Sequence, residues 1–254
     1  MSNNPGSPKN WFESGGKDYA RFRPDYPAQL AEFLADTAPS RSCAVDVGCG
    51  SGQLTTLLAQ HFDRVIGCDP SADQLDSAPS HPNVEYVCAS AENLPLKDRS
   101  VSLIVAAQAA HWFNLPHFYK EVSRIGVKDA ALALVSYGVL QPGEELQDRF
   151  RRFYHDEAGP YWSPERSLVD SGYRDMQFPF KETQPPRMDI RLAWNLNDFL
   201  GYISTWSAVR NARNAGREDI VLAFGKDVAS LWGDPATTRS MFWPINMRVG
   251  TLGA

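Results

Sequence analysis

The stretch VDVGCGSGQLT, Val45 to Thr55, carries the most chemically suggestive spacing in the chain. An acid, Asp46, stands two places before Gly48, and Gly50 and Gly52 follow at alternate positions. Glycine permits positive φ and lets a ligand come close to the backbone. Leu54, Leu57 and Leu58 then fall at helical spacing, so the loop leads into a helix whose leading N–H groups favour polar or anionic ligand groups. A nucleotide-like ligand suits this arrangement. The dinucleotide fingerprint G-x-G-x-x-G does not fit, because the third glycine comes one place early and Gln53 stands in its position. The carboxylate of Asp46 would also sit poorly beside a pyrophosphate. It suits an ammonium or sulfonium, since opposite charges attract strongly at short range in a partly dry site. The expected ligand is therefore a nucleoside bearing an amino acid.

Such a loop needs a strand to end at it and a helix to leave it. Ser42–Val47 is a short apolar run that reads as a strand, and Gly52–His61 reads as the helix. Arg64–Cys68 reads as a second strand, followed by a short helix with Ser71 as N-cap. Val84–Cys88, Val101–Ala106 and Ala130–Tyr137 read as three more strands, the last two separated by a helix over Pro116–Ile125. Strands alternating with helices imply right-handed crossovers and a parallel sheet. The expected fold class is α/β: a doubly wound, mostly parallel, Rossmann-like sheet of seven strands, the last one antiparallel. Ligands bind such sheets outside the carboxyl ends of the strands, at the switch point.

The flanks differ in pattern. Pro27–Ala35 reads as a helix with Pro27 at its first helical position. After Tyr137 the alternation stops; Glu144–Ala158, Asn197–Asn211 and Ile220–Leu231 look helical, Phe178–Ile190 is Pro-rich and strand-like, and Met241–Val249 is placed to close the sheet. Five of the seven tryptophans lie in this half: Trp162, Trp194, Trp206, Trp232 and Trp243. They suit either core packing or an apolar lid. The whole is expected to form one domain over 1–254, with an N-terminal helical cap (1–40), a cofactor-binding core (41–138) and a C-terminal half (139–254) carrying helical insertions.

At 254 residues, 43% hydrophobic and 22% charged, the composition is that of a globular domain long enough to bury a sizeable core. No apolar run approaches the roughly 18 residues of a membrane span. MSNNPGSPKN lacks the charged head and apolar stretch of a signal peptide, so a cytoplasmic location is expected. The net charge of −5 disfavours nucleic acid as a partner. The basic clusters Arg149, Arg151, Arg152 and Arg210, Arg213 read as solvated helix faces. The four cysteines, Cys43, Cys49, Cys68 and Cys88, contain no CxxC pair; three fall near the ends of successive strands, where a metal cluster is conceivable, but they read as small buried thiols. The expected partner is a small-molecule substrate, with no nucleic acid and no membrane, and the chain a monomer or homodimer.

VDVGCGSG resembles the glycine motif of class I S-adenosylmethionine-dependent methyltransferases. GCDPS, Gly67–Ser71, is similar to their second strand end, where the resemblance implies that Asp69 takes both ribose hydroxyls and Pro70 lies alongside. ASAENLPL, Ala89–Leu96, resembles the third motif, which implies Ala91 and Glu92 beside the adenine amine. VAAQAAHWF, Val105–Phe113, resembles the fourth strand and the loop facing the reaction centre, which implies Gln108 and Ala109 along the methionine portion. The same resemblance carries S-adenosyl-L-methionine as cofactor and assigns Gly48, Cys49, Gly50, Gly52 and Gln53 to the cofactor loop. YARFRPDYP, Tyr19–Pro27, and NLNDFLGYISTWSAV, Asn195–Val209, look like the cap and C-terminal helix of the trans-aconitate methyltransferase branch. That likeness implies that Tyr19 or Arg23, or both, reach the cofactor carboxylate, a task an arginine fork performs well. The alternative for Arg23 is a salt bridge with Asp25. One departure is RIGVKDAAL, Arg124–Leu132, where the family has a Pro-Gly-Gly turn; the expectation is an altered turn distant from the chemistry.

Methyl transfer from a sulfonium displaces a neutral thioether, so no acid need protonate the leaving group. Alignment of the reactants can supply roughly 7–11 kcal/mol of the barrier. A base is needed only if the acceptor arrives protonated. His111 is the candidate, with three readings open: a pocket or cofactor contact, structural packing, or a base. Trp112 and Phe113 read as walls, and Tyr26 and Trp11 as weaker pocket candidates. The acceptor class the resemblance implies is a small organic acid methylated on a carboxylate. A non-catalytic cofactor-binding module, a macromolecular methyltransferase and a dinucleotide-dependent oxidoreductase are the competing readings.

Overall fold

The structure is a computed structural model that describes residues 22–253. α1 (Ala28–Thr37) buries Leu30, Ala31, Leu34 and Ala35, one face at helical spacing. Pro27 precedes its first turn as an extended N-cap, one residue before the expected position, with φ −68° and ψ 145°. β1 (Ala44–Val47), α2 (Gln53–Leu58), β2 (Val65–Asp69), α3 (Ala72–Asp76), β3 (Val84–Cys88) and β4 (Val101–Ala107) then alternate. α4 (Leu115–Ile125) runs straight into β5 (Gly126–Tyr137). The C-terminal half adds α5 (Glu144–Arg152), a π-turn over Phe153–Glu157, α6 (Arg166–Asp170), β6 (Lys181–Thr183) and β7 (Met188–Trp194). α7 (Leu196–Ser204), α8 (Ser207–Asn214), α9 (Glu218–Trp232) and β8 (Arg239–Thr251) complete it.

The strand order is β3-β2-β1-β4-β5-β8-β6, with β7 also paired to β8. β1 pairs in parallel with β2 on one side and β4 on the other, so the chain switches direction of winding at β1. β8 is antiparallel to β5, as expected for the last strand. The expected count of seven is corrected to eight among the described residues. The extra strand arises because one edge is split. Residues 184–187 lie between β6 and β7, opposite 246–248 of β8, so the edge carries one residue more than its partner. Pro185 and Pro186 stand there and have no N–H to give the ladder.

Alternate residues of the central strands face opposite layers. Leu103 and Val105 join Leu30, Leu34, Leu54 and Leu58 on one side. Ile104 and Ala106 join Val45, Ile66, Phe118 and Val122 on the other. Each such side chain contributes roughly 1.5–3 kcal/mol by leaving water. The departure at Arg124–Leu132 becomes a bulge. Val101 pairs with Gly126 but Leu103 pairs with Ala131, and Asp129 takes φ +61°. It lies at the amino ends of β4 and β5, away from the carboxyl ends. The helix expected over Asn197–Asn211 is broken into α7 and α8. Thr205 Oγ1 donates to the Tyr202 carbonyl at 2.7 Å, and Trp206 turns inward to 4% exposure. Trp206, Trp232 and Trp243 are thereby core residues, while Trp162 and Trp194 are half-buried. Among the described residues, no helix is long and apolar enough to cross a membrane, and no cluster of acids, histidines and cysteines could hold a metal.

Candidate active site

β1 ends in a loop that folds back onto the tip of β2. Gly48 and Cys49 both donate their N–H groups to the Cys68 carbonyl, at 2.7 and 3.0 Å. Gly48, Gly50 and Gly52 take φ of +71°, +55° and +79°. At Gly48 the need is also steric: a Cβ there would lie 2.4 Å from that of Ala109, so the tips of β1 and β4 meet with no room for a side chain. Gly52, the N-cap of α2, and Gly67 on β2 are covered by Tyr86, whose hydroxyl a Cβ at Gly52 would meet at 2.3 Å and whose ring a Cβ at Gly67 would meet at 2.7 Å.

Two carboxylates flank this loop. Asp46 is 1% exposed; its Oδ2 accepts from Thr55 Oγ1 at 2.7 Å, while its Oδ1, equally buried, has no hydrogen-bond partner among the described residues. Burial, with Asp69 nearby, pushes its pKa up to about 7. Asp69 ends β2. Its Oδ2 accepts from the Gly50 N–H and its Oδ1 from the Ser71 N–H, both at 2.9 Å. Burial raises its pKa too, against those two bonds. Each oxygen keeps lone-pair capacity for another donor. Pro70 is exposed beside it. The Cys49 and Cys68 thiols are pushed up by burial, Cys68 to about 12, so both are inert here. Cys43 and Cys68 are buried as expected, but Cys49 is half-buried and Cys88, at the end of the edge strand β3, is exposed.

The loop after β3 carries Ala91, 5% exposed, and Glu92, whose Oε1 accepts from the Asn114 N–H at 2.9 Å. Glu92 therefore ties this loop to the one after β4. There Gln108 takes φ +53°, uncommon for a residue with a Cβ, and its Nε2 donates to the Tyr137 carbonyl at 3.0 Å. Ala109 follows, 7% exposed, then a 3-10 turn over Ala110–Trp112 that carries His111. His111 Nδ1 lies 3.0 Å from Tyr173 Oη. Burial first, then the Arg166 charge, lower its pKa to about 3. Tyr173 is fully buried at φ +63°, a strained backbone that sets its hydroxyl on the imidazole.

The structure thus brings Asp46, Gly48, Cys49, Gly50, Gly52, Asp69, Pro70, Ala91, Glu92, Gln108, Ala109 and His111 to the carboxyl ends of β1 to β4. Gln53 faces outward, its Nε2 donating to Asp25 Oδ1 at 3.1 Å. Arg23 Nη1 donates to Tyr137 Oη at 3.1 Å, and its guanidinium lies 5.5 Å over the Tyr202 ring. Tyr26 packs on Tyr137, with ring centroids 6.1 Å apart. Tyr19 and Trp11 lie outside the described residues. The sequence reading missed Thr55, Tyr86, Tyr137, Tyr173 and Arg166. Of these only Thr55, in the first turn of the helix that follows the glycine loop, carries a local signal; the tyrosines and Arg166 reach the site through long-range packing.

The methyltransferase-domain family matches residues 45–134 of this chain. The chain is 37% identical over 214 residues to a putative methyltransferase of Dictyostelium discoideum, covering 83% of this chain and 81% of that protein. It is 27% identical to a probable S-adenosylmethionine-dependent methyltransferase of Saccharomyces cerevisiae, over 77% of this chain and 79% of the relative. A solved structure from Anaeromyxobacter dehalogenans, described as a putative type II methyltransferase, superposes with a TM-score of 0.85 at 40% identity, over 92% of this chain and all of that one.

Proposed function

Because the chain belongs to the class I S-adenosylmethionine-dependent methyltransferases, we propose that it methylates a small organic acid that reaches the site already ionised. That it is an enzyme of this class, with S-adenosylmethionine as cofactor, follows from membership; the acceptor and the residue roles are our reading.

The residues fit the cofactor. The observation that carries the reading is the pair of carboxylates at the tips of β1 and β2, one of them with a buried oxygen awaiting a donor. Asp46 Oδ1 is suited to the ammonium of the amino-acid end. Asp69, held by two backbone N–H groups, is suited to the ribose hydroxyls. Ala91 and Glu92 would border the adenine, and Gln108 and Ala109 the methionine chain. Arg23, at the far side beside Tyr137, is suited to the carboxylate. S-adenosylmethionine supplies an electrophilic methyl group on a sulfonium. The chain's own residues align the acceptor and exclude water.

His111 supports an acceptor that needs no base. An imidazole with a pKa near 3 is neutral at pH 7 and is a poor proton acceptor, whereas an effective base titrates near the working pH. A carboxylate is already ionised there. Its oxygen lone pair forms the new O–C bond as the S–C bond breaks, the electron pair of that bond stays on sulfur, and no proton moves. His111, fixed by Tyr173, positions and walls the site. The likeness of 19–27 and 195–209 to the trans-aconitate branch supports the same acceptor class.

Calorimetry with S-adenosylmethionine, S-adenosylhomocysteine and NAD tests the cofactor reading. The first two bind and NAD does not. Asp69→Ala weakens both by about 10- to 100-fold, the worth of a charged hydrogen-bond acceptor. An unchanged affinity in that variant contradicts the ribose role.

A further inference from the structure

We propose that Arg166 is the anchor for an anionic group of the acceptor, so that the acceptor carries one acid group to be held and a second nucleophile to be methylated. This rests on the methyltransferase reading above. α6 holds Arg166 by one edge only. Its Nε donates to Tyr154 Oη and Asp170 Oδ1, each at 2.9 Å, and Tyr154 Oη donates in turn to both Asp170 oxygens, at 2.8 and 3.0 Å. The guanidinium lies 4.7 Å over the Trp162 ring. Neither Nη group has a hydrogen-bond partner among the described residues, and the side chain keeps 22% of its surface exposed, so the fork is fixed at one edge and open at the other. A planar fork held in this way matches a carboxylate with two parallel hydrogen bonds.

Its place in the fold points to the reaction centre. The Arg166 charge acts on His111 in the loop after β4, and on Tyr173 and Tyr202. The π-turn after α5 sets Tyr154 against α6; its extra residue appears as the Ala158 N–H bonding the Phe153 carbonyl at 2.8 Å. Charge balance argues the same way. Asp170 offsets Arg166, but a sulfonium brought near adds a second positive charge, and an anion on the open edge relieves the repulsion. Chemistry then constrains the acceptor. A carboxylate bound to a guanidinium has its lone pairs engaged and is a poor nucleophile. The group at Arg166 is therefore not the one methylated, and a diacid held at one end and methylated at the other satisfies both demands. The half-buried Trp162 and the Tyr154 ring form an apolar wall beside the fork, so the body joining the two groups can be apolar.

The test loads the protein with S-adenosylhomocysteine and titrates it with succinate, glutarate and phenylsuccinate, each against its neutral diamide. At least one diacid binds more tightly than its diamide. Arg166→Gln weakens that diacid by about 10- to 100-fold and removes the preference, with S-adenosylhomocysteine affinity unchanged. Arg166→Lys falls between, because it keeps the charge and loses the fork; if the Gln variant does not fold, this variant carries the comparison. No preference for any diacid over its diamide in the native protein, or a preference that survives Arg166→Gln or is undiminished in Arg166→Lys, overturns the proposal. Failure of S-adenosylhomocysteine to bind the native protein overturns the methyltransferase reading instead.

Discussion

Asp46 is buried and His111 half-buried, and the surroundings oppose charge on each. At Asp46 this makes function costly. Its pKa rises from 3.8 to about 7, so at neutral pH the ligand-free protein holds a carboxyl that solvent would ionise fully. Asp46→Asn removes that cost. It raises stability near pH 8 by about 1–2 kcal/mol, a melting-temperature gain of roughly 2–8 °C, while cofactor affinity falls. Calorimetric melting and cofactor titration of the same variant check both halves; a variant that loses stability contradicts the assignment. In the native protein, cofactor affinity rises between pH 6 and 8 as Asp46 ionises. His111→Asn keeps methyl transfer within about tenfold of native, less than the loss of a general base, which is typically 100-fold or more. A larger loss, rescued at high pH, restores the base role. Asp46 and the glycines were legible in the sequence because one contiguous loop carries them. Tyr173 was not, because it meets His111 from 62 positions away.

At the level of elements, the tips of β1 and β4 touch. Gly48→Ala meets Ala109 and takes a φ that disfavours any Cβ, so it destabilises by about 1–3 kcal/mol and reduces cofactor binding. Adding Ala109→Gly relieves the contact and recovers part of the loss, whereas the backbone strain remains. Denaturant midpoints of the three variants separate the two contributions, and a double variant no better than Gly48→Ala removes the steric one. The alternating core, from β1 through β5, was legible because its strands are short apolar runs between helical spacings. The second half was read less well for specific reasons. A continuous helical pattern over Asn197–Asn211 hides the turn at Thr205–Trp206, which the packing of Trp206 against Phe150, Phe153 and Tyr154 favours. β6 and β7 share one pattern that Pro185 and Pro186 split.

Over the whole molecule, negative groups gather at the tips of β1 and β2, and the guanidinium groups of Arg23 and Arg166 stand across the sheet near β5 and α6. A ligand with a positive amino group and a nearby anionic partner fits that polarity, although the net charge of −5 reveals nothing of it. These two titrating groups, Asp46 and His111, also shape stability against pH. His111 has a lowered folded pKa, so its contribution is complete above 6.5 and is lost as pH falls toward 3. Asp46 has a raised folded pKa, so its contribution is complete below 3.8 and is lost as pH rises toward 7. Between about pH 4 and 6.5 the two slopes oppose, and Asp46→Asn exposes a steeper acid loss than the native protein shows. Melting temperatures across that range check the sign.

The most direct test is a crystal structure of the chain with S-adenosylhomocysteine bound. The account predicts the ribose hydroxyls on Asp69 and the amino group within hydrogen-bonding distance of Asp46 Oδ1. Electron density for the nucleoside elsewhere, or strand tips closed by the protein's own side chains, would contradict it.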